Sequence, residues 1–170
     1  MTEMSKFINK RLRAVVILAA LGVLVAGYLA YRHYANITGG KICNISDRIS
    51  CDIVNKSIYA EIFGVPVSLI GAIGYAFIAV VSFGLIKDWN FQRIWADLRK
   101  GLVVKILFWI VGAALLFSFY LTYAEVFILH AYCPFCVLQQ IIILVIFFLL
   151  ASVRYTVEED RQKGGICEFC

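Results

Sequence analysis

Residues 133–153 read CPFCVLQQIIILVIFFLLASV, and the change of character within this stretch decides the fold. From Val137 to Val153 the sequence is apolar but for Gln139, Gln140 and Ser152, nearly enough as a helix to cross a hydrocarbon core of ~30 Å. Leu102 to Ala124, Val65 to Ile86 and Ala14 to Tyr31 are runs of the same kind. Four such spans place about half of a 170-residue chain in lipid and leave no room for a second sizeable soluble domain. The composition agrees: 62% of residues are apolar and 16% charged, with mean hydropathy +0.87, against about half and about a quarter in soluble domains. A soluble fold is excluded. Disorder and a nucleic-acid partner are excluded too, because the net charge is only +5 and the basic residues are spread over several short loops. The first apolar run is longer than a signal-peptide core and no small-residue cleavage site follows it, so it reads as a retained helix.

The expected fold class is all-α, an integral membrane four-helix bundle over residues 1–153 followed by a tail, 154–170. Small residues recur every four positions at Gly22, Ala26 and Ala30, at Ala72 and Ala76, and at Ala114 and Ser118, which predicts close helix contacts there. Basic residues set the orientation. Lys6, Lys10, Arg11 and Arg13 lie before the first span; Lys87, Arg93, Arg99, Lys100 and Lys105 fall around the second connection; Arg154, Arg161 and Lys163 follow the last. The loop 32–64 has only Arg32, Lys41, Arg48 and Lys56, and the loop 125–136 has none. The positive-inside rule then puts both termini in the cytoplasm and these two loops on the outer face.

Four of the six cysteines fall on that outer face: Cys43 and Cys51 in the first loop, Cys133 and Cys136 at the entry to the fourth span. In Cys133-Pro134-Phe135-Cys136, proline fits the first helical position, where a missing N–H costs nothing. Cys133 becomes the cap and Cys136 sits in the first turn, where free N–H groups and the helix dipole favour the thiolate that attacks disulfides. The alternatives are a static disulfide or a metal half-site; with His130 the pair supplies three ligands where a metal wants four, which favours redox chemistry. Cys51, Val54, Ile58, Ile62 and Val65 follow helical spacing, so Asp52 to Phe63 reads as a short amphipathic helix in the membrane interface, with Cys51 on its apolar face and Gly64 and Pro66 ending it. One loop cysteine then faces water and the other the membrane pair, as a relay of thiol–disulfide exchanges requires. A purely structural loop disulfide is the competing reading.

The Cys-x7-Cys of the first loop, Ser57, the run Phe63-Gly64-Val65-Pro66 followed by Gly71, Gly74 and Tyr75, and the Cys-Pro-Phe-Cys opening the fourth span together resemble the vitamin K epoxide reductase family, especially its bacterial and archaeal members. The resemblance covers Ala14 to Val153. The DsbB family, also four-span and quinone-linked, is less similar because its Cys-x-x-Cys lies in the first loop. The resemblance implies an electron relay: an exported thioredoxin-like or DsbA-like thiol protein reduces the Cys43–Cys51 disulfide, Cys51 exchanges with Cys133, and the Cys133–Cys136 pair passes electrons to a quinone such as menaquinone or ubiquinone. A quinone suits a sequence that carries no haem motif, dinucleotide fingerprint or clear metal cage. Phe63, Tyr75, Phe117 and Tyr120, with Phe119, Tyr123 and Phe127, are candidate pocket residues or, as the alternative, an interfacial aromatic belt.

Glu125 is the carboxylate near the thiol pair and the candidate proton carrier for quinol formation, the alternative being a solvated helix end. Ser57 matches a family position near the quinone. Arg48 and Lys56 are candidate thiolate-stabilising charges. Gln140 stands where the animal enzymes carry tyrosine, which argues for plain quinone reduction over reduction of an epoxide; a vitamin K epoxide reductase proper and a non-catalytic scaffold with static disulfides are the other readings. Cys167 and Cys170 match nothing in the family core. Asn36, Asn44 and Asn55 open glycosylation sequons on the outer side.

Overall fold

The structure is a computed structural model that describes residues 3–35, 44–46, 49–87 and 100–162. All four apolar runs are helical and long enough to cross a membrane. The chain is a multi-pass membrane protein. In order, the elements are α1 (Glu3–Tyr34), strands β1 (Asn44–Ser46) and β2 (Ile49–Ser50), α2 (Cys51–Asn55), a 3-10 turn (Ile58–Ala60), strands β3 (Glu61–Ile62) and β4 (Val65–Pro66), α3 (Val67–Ile86), α4 (Lys100–Tyr123) running on into a π-helical turn (Ala124–Ile128), and α5 (Pro134–Gln162). The predicted four-helix membrane bundle is the observed architecture.

Helices α1 and α5 outrun their apolar runs because an amphipathic stripe continues past those two lipid-facing stretches. Ile8, Leu12, Val15 and Ala19 lie one helical turn apart and are all buried, so α1 starts at Glu3 rather than near Ala14. Val153 and Val157 extend α5 in the same way. At its start α3 is shorter than expected, since Val65 and Pro66 pair antiparallel with Ile62 and Glu61. The tight turn between those strands has Phe63 and Gly64 at φ of 52° and 79°, positive at both central residues as a twist-matched two-residue hairpin needs.

The helix expected over Asp52 to Phe63 is corrected to the single turn and a half of α2. Ser50 caps its start by accepting the Ile53 N–H, and Ser57 ends it by donating its hydroxyl to the Val54 carbonyl at 2.8 Å. Ile58, which the helical spacing placed on the apolar face, is exposed instead.

In the bundle α1 packs against α3 and α5, and α4 packs against α5. The core runs through Leu12, Val15, Leu107, Val111, Ile146 and Leu150. Gly22 and Ala26 make the close contacts their spacing predicted, and a β-carbon at position 22 would lie 2.6 Å from the Tyr75 ring. Ala114 does not serve that purpose: it is exposed along a cavity between α3 and α4.

Gly22→Ala is therefore expected to displace Tyr75 and cost about 1–3 kcal/mol. Gly27, with open space around its α-carbon, tolerates alanine within about 0.5 kcal/mol. Thermal unfolding of the two variants in one detergent compares them directly.

Candidate functional site

The site is built at the loop-bearing end of the bundle, where α5 begins. Pro134 opens α5 and Cys133 is its cap: the Cys133 carbonyl accepts the Val137 N–H at 3.1 Å, and its sulfur accepts the Cys136 N–H at 3.3 Å. A thiol thus occupies the place usually taken by a serine or aspartate oxygen. Both cysteines of the pair are free thiols, Cys133 fully buried and Cys136 partly.

Cys51 opens α2 and is held in a disulfide; Cys43, its expected partner, lies outside the described residues, as do Arg48, Asn36, Cys167 and Cys170. Cys51 and Cys133 share one small buried cluster with Leu29, Val54 and Ala131. What brings α2 there is a set of polar contacts to the end of α1. Arg32 pairs with Asp52 at 2.9 Å, with both side chains largely buried. Asn55 donates its amide to the Leu29 carbonyl at 3.0 Å, and His33 meets the Asn55 carbonyl at 2.8 Å and the Glu61 carboxylate at 3.2 Å. On the other side Ser50 donates its N–H to the Tyr132 carbonyl at 3.1 Å, which ties the loop to the residue before Cys133. Asn55, one of the sequon asparagines, has its side chain committed to this packing.

Glu125 lies in the π-helical turn that ends α4 and is buried, 5% exposed. In that turn Leu129 donates to the Ala124 carbonyl five residues back, an arrangement that is rare and concentrated at functional sites. The carboxylate accepts the Cys133 N–H at 3.4 Å and lies beside the Cys136 thiol. It is therefore a first neighbour of both cysteines, not a solvated helix end.

A cavity of about 470 Å³ opens between α3 and α4 beneath the loop. Cys136, Glu125, Ser57, Tyr75 and Phe117 line it, over an apolar floor that includes Ile78 and Ile143. Cys133 is absent from the wall, whereas Cys136 borders both the cavity and the cluster that holds Cys51 and Cys133. Phe63 and Tyr120 are not where a pocket role would put them. Phe63 is fully exposed at the hairpin tip, carried there by its positive φ, and Tyr120 stacks on the outer side of Phe117 with ring centroids 6.2 Å apart. Phe119, Tyr123 and Phe127 are likewise exposed. His130 is exposed and turned to its own Ile128 carbonyl, and Lys56 is exposed. Among the described residues no three His, Cys, Asp or Glu side chains gather to hold a metal.

The cavity also takes in Asn55, Ser68, Gln139 and Gln140, which the sequence reading did not assign to it. The two glutamines were legible, being polar residues inside an apolar run. Gln140 Oε1 sits 2.7 Å from both the Ser118 and Thr122 hydroxyls, and the Tyr75 hydroxyl donates to the Gln139 carbonyl at 3.0 Å.

The Cys133 thiol is held below the ordinary thiol range. The main cause is the hydrogen bond from the Cys136 thiol; the N–H groups of Cys136 and Phe135 add to it, while burial and the Glu125 charge oppose it.

Compared with models of known families, residues 13–151 match the vitamin K epoxide reductase family. The matched region contains both cysteine pairs and nearly all of the four apolar runs.

A lowered Cys133 pKa means that its thiolate persists to lower pH than an ordinary cysteine, which loses it near about 8.5. Ultraviolet thiolate absorbance in a Cys167→Ser/Cys170→Ser background should show this early step. Cys136→Ala removes the donor and should move the step to higher pH; an unmoved step would show that the Cys136 thiol does not set it.

Proposed function

The chain belongs to the vitamin K epoxide reductase family and is a membrane oxidoreductase; on that premise we propose that it relays electrons from a reduced thioredoxin-like or DsbA-like exported protein through Cys43 and Cys51 to Cys133 and Cys136, and on to a quinone. The relay supports disulfide formation in exported proteins. It needs both termini in the cytoplasm and the cysteines on the outer face, the orientation that the loop charges favour.

The observation that carries this reading is the placing of the thiol pair: Cys133 is a buried member of the cluster that holds Cys51, while Cys136, packed at the edge of that cluster, also lines the cavity. The reduced partner first opens the Cys43–Cys51 disulfide by forming a mixed disulfide with Cys43, and its second thiol then closes the partner's own disulfide and frees Cys43. Cys51 thiolate then attacks the Cys133 sulfur of a Cys133–Cys136 disulfide and releases Cys136, and Cys43 resolves the Cys51–Cys133 bond. The products are a Cys43–Cys51 disulfide and a reduced Cys133/Cys136 pair. A low-pKa Cys133 suits its role as leaving group in the last exchange.

The cavity fits a quinone head. Its volume is within the usual range of about 300–1,000 Å³ for small-molecule sites, and its wall is mainly apolar. Ser68, on that wall, has a buried hydroxyl with no hydrogen-bond partner among the described residues, and so has a proton to donate to a carbonyl. Ser68 would hold a carbonyl of the group beside Cys136, with Ser57 and Tyr75, whose hydroxyl protons are already committed, forming part of the wall. When bound, the group supplies a two-electron, two-proton acceptor.

Purified protein given dithiothreitol and a soluble benzoquinone should consume the quinone, and Cys133→Ser and Cys136→Ser should each abolish consumption. Full activity in both variants would sink the relay. Cys136→Ser should also accumulate a Cys51–Cys133 linkage, seen by mass spectrometry of non-reduced peptides. Its absence would mean that the two pairs do not communicate.

A further inference from the structure

Two protons as well as two electrons leave a dithiol when it closes to a disulfide, and the relay so far accounts only for the electrons. Cys136 is only partly exposed: it lies within the first turn of α5, against a mainly apolar cavity. Among the residues lining that cavity, Glu125 is the one formally charged side chain; the other titratable groups there are Cys136 on α5, Tyr75 on α3 and Tyr59 in the loop. Glu125 also lies beside the Cys136 thiol on the same cavity and takes the Cys133 N–H at 3.4 Å. The π-helical turn fixes it in place, and Ala131 donates its N–H to the Glu125 carbonyl at 3.2 Å. A carboxylate that lies beside the thiol, lines the cavity and is held on both sides is a general base with one proton to collect and one place to deliver it.

We infer that Glu125 is the proton-transfer group of the thiol pair, taking the Cys136 proton as the Cys133–Cys136 bond forms and handing it into the cavity. This rests on the relay for the destination of the proton but not for its origin. The step balances as follows. The S–H bond of Cys136 breaks, its proton goes to the Glu125 carboxylate, and the S–S bond forms as the pair gives up two electrons. With a quinone in the cavity, Glu125 would be placed to pass that proton to one of its oxygens and return to carboxylate. The Cys133 proton has already left to water when that thiol ionised, and water supplies the second proton of the quinol. Dithiol and quinone become disulfide and quinol.

The test uses the full chain in detergent. In quinone-free protein, infrared difference spectra between the dithiothreitol-reduced and diamide-oxidised forms should show a protonated-carboxyl band gained on oxidation and shifted in heavy water. Glu125→Gln, which keeps an oxygen for the Cys133 N–H, should lose that band. With soluble benzoquinone the same variant should lose kcat on the order of 10²-fold, with KM unchanged and the pH dependence of kcat flattened. Glu125→Asp keeps a titratable carboxyl and should retain the band and more activity than the glutamine variant.

No carboxyl band in the wild type, an identical band in Glu125→Gln, or an aspartate variant no better than the glutamine one overturns the assignment. So does a Glu125→Gln variant with wild-type kcat and pH profile. A wild-type protein that shows the band yet consumes no quinone supports Glu125 as the proton acceptor and overturns the quinone reading alone.

Discussion

A guanidinium buried at the end of a membrane helix must be met by an anion, and in this chain the anion is Asp52. Removing one partner of such a pair leaves an uncompensated buried charge, at a cost of about 3–5 kcal/mol, so the loop is not free to sit elsewhere. Asp52 follows Cys51 directly. Satisfying Arg32 at 2.9 Å therefore also fixes the cysteine beside it, and the contacts of Asn55 with Leu29 and His33 of α1 keep α2 from rotating about that one bond. The tie from Ser50 to Tyr132 then brings the loop to the residue before Cys133. The position of one redox pair relative to the other follows from electrostatics at the α1 terminus.

The second pair owes its division to helix geometry. A cap residue lies just outside the helix and the third helical residue lies within its first turn. In Cys133-Pro134-Phe135-Cys136 this places one cysteine within the loop cluster and the other at its edge, where it also borders the cavity, and the hydrogen bond from the Cys136 N–H to the Cys133 sulfur keeps them adjacent. The same N-terminus supplies the unsatisfied N–H groups that favour a thiolate at Cys133. Reactivity and placement here have a common cause.

The four spans and the capping role of Cys133 could be read from the sequence because they follow local rules: run length for the spans, proline at the first helical position for the cap. The loop could not. Cys51, Val54, Ile58 and Ile62 have helical spacing, but Ser57 binds the Val54 carbonyl and the Phe63-Gly64 turn folds the chain back, so a side-chain hydrogen bond and two positive φ angles override the pattern. Phe63 was placed in a pocket by its neighbours in sequence and is turned out by its own backbone. Glu125 was legible as a carboxylate near the thiols, but not its burial, which depends on a π-helical turn that no composition rule signals. Ala114 and Ser118 had the spacing of a helix contact. They line a cavity because α4 packs on α5 and leaves space toward α3.

That space has a wall set from the far side of the bundle. Tyr75 is buried on α3 with its ring against Gly22 of α1, where even one methyl group would intrude, and its hydroxyl reaches the Gln139 carbonyl on α5 at 3.0 Å. One side chain thus spans three helices. A glycine at position 22 lets α1 and α3 close tightly enough for the tyrosine to reach α5, and the cavity is what remains on the other side of that ring. Its width beside Cys136 depends on a residue that touches neither cysteine, because in lipid, where apolar burial gives little drive for association, the fit of small residues at helix contacts sets how closely the helices approach.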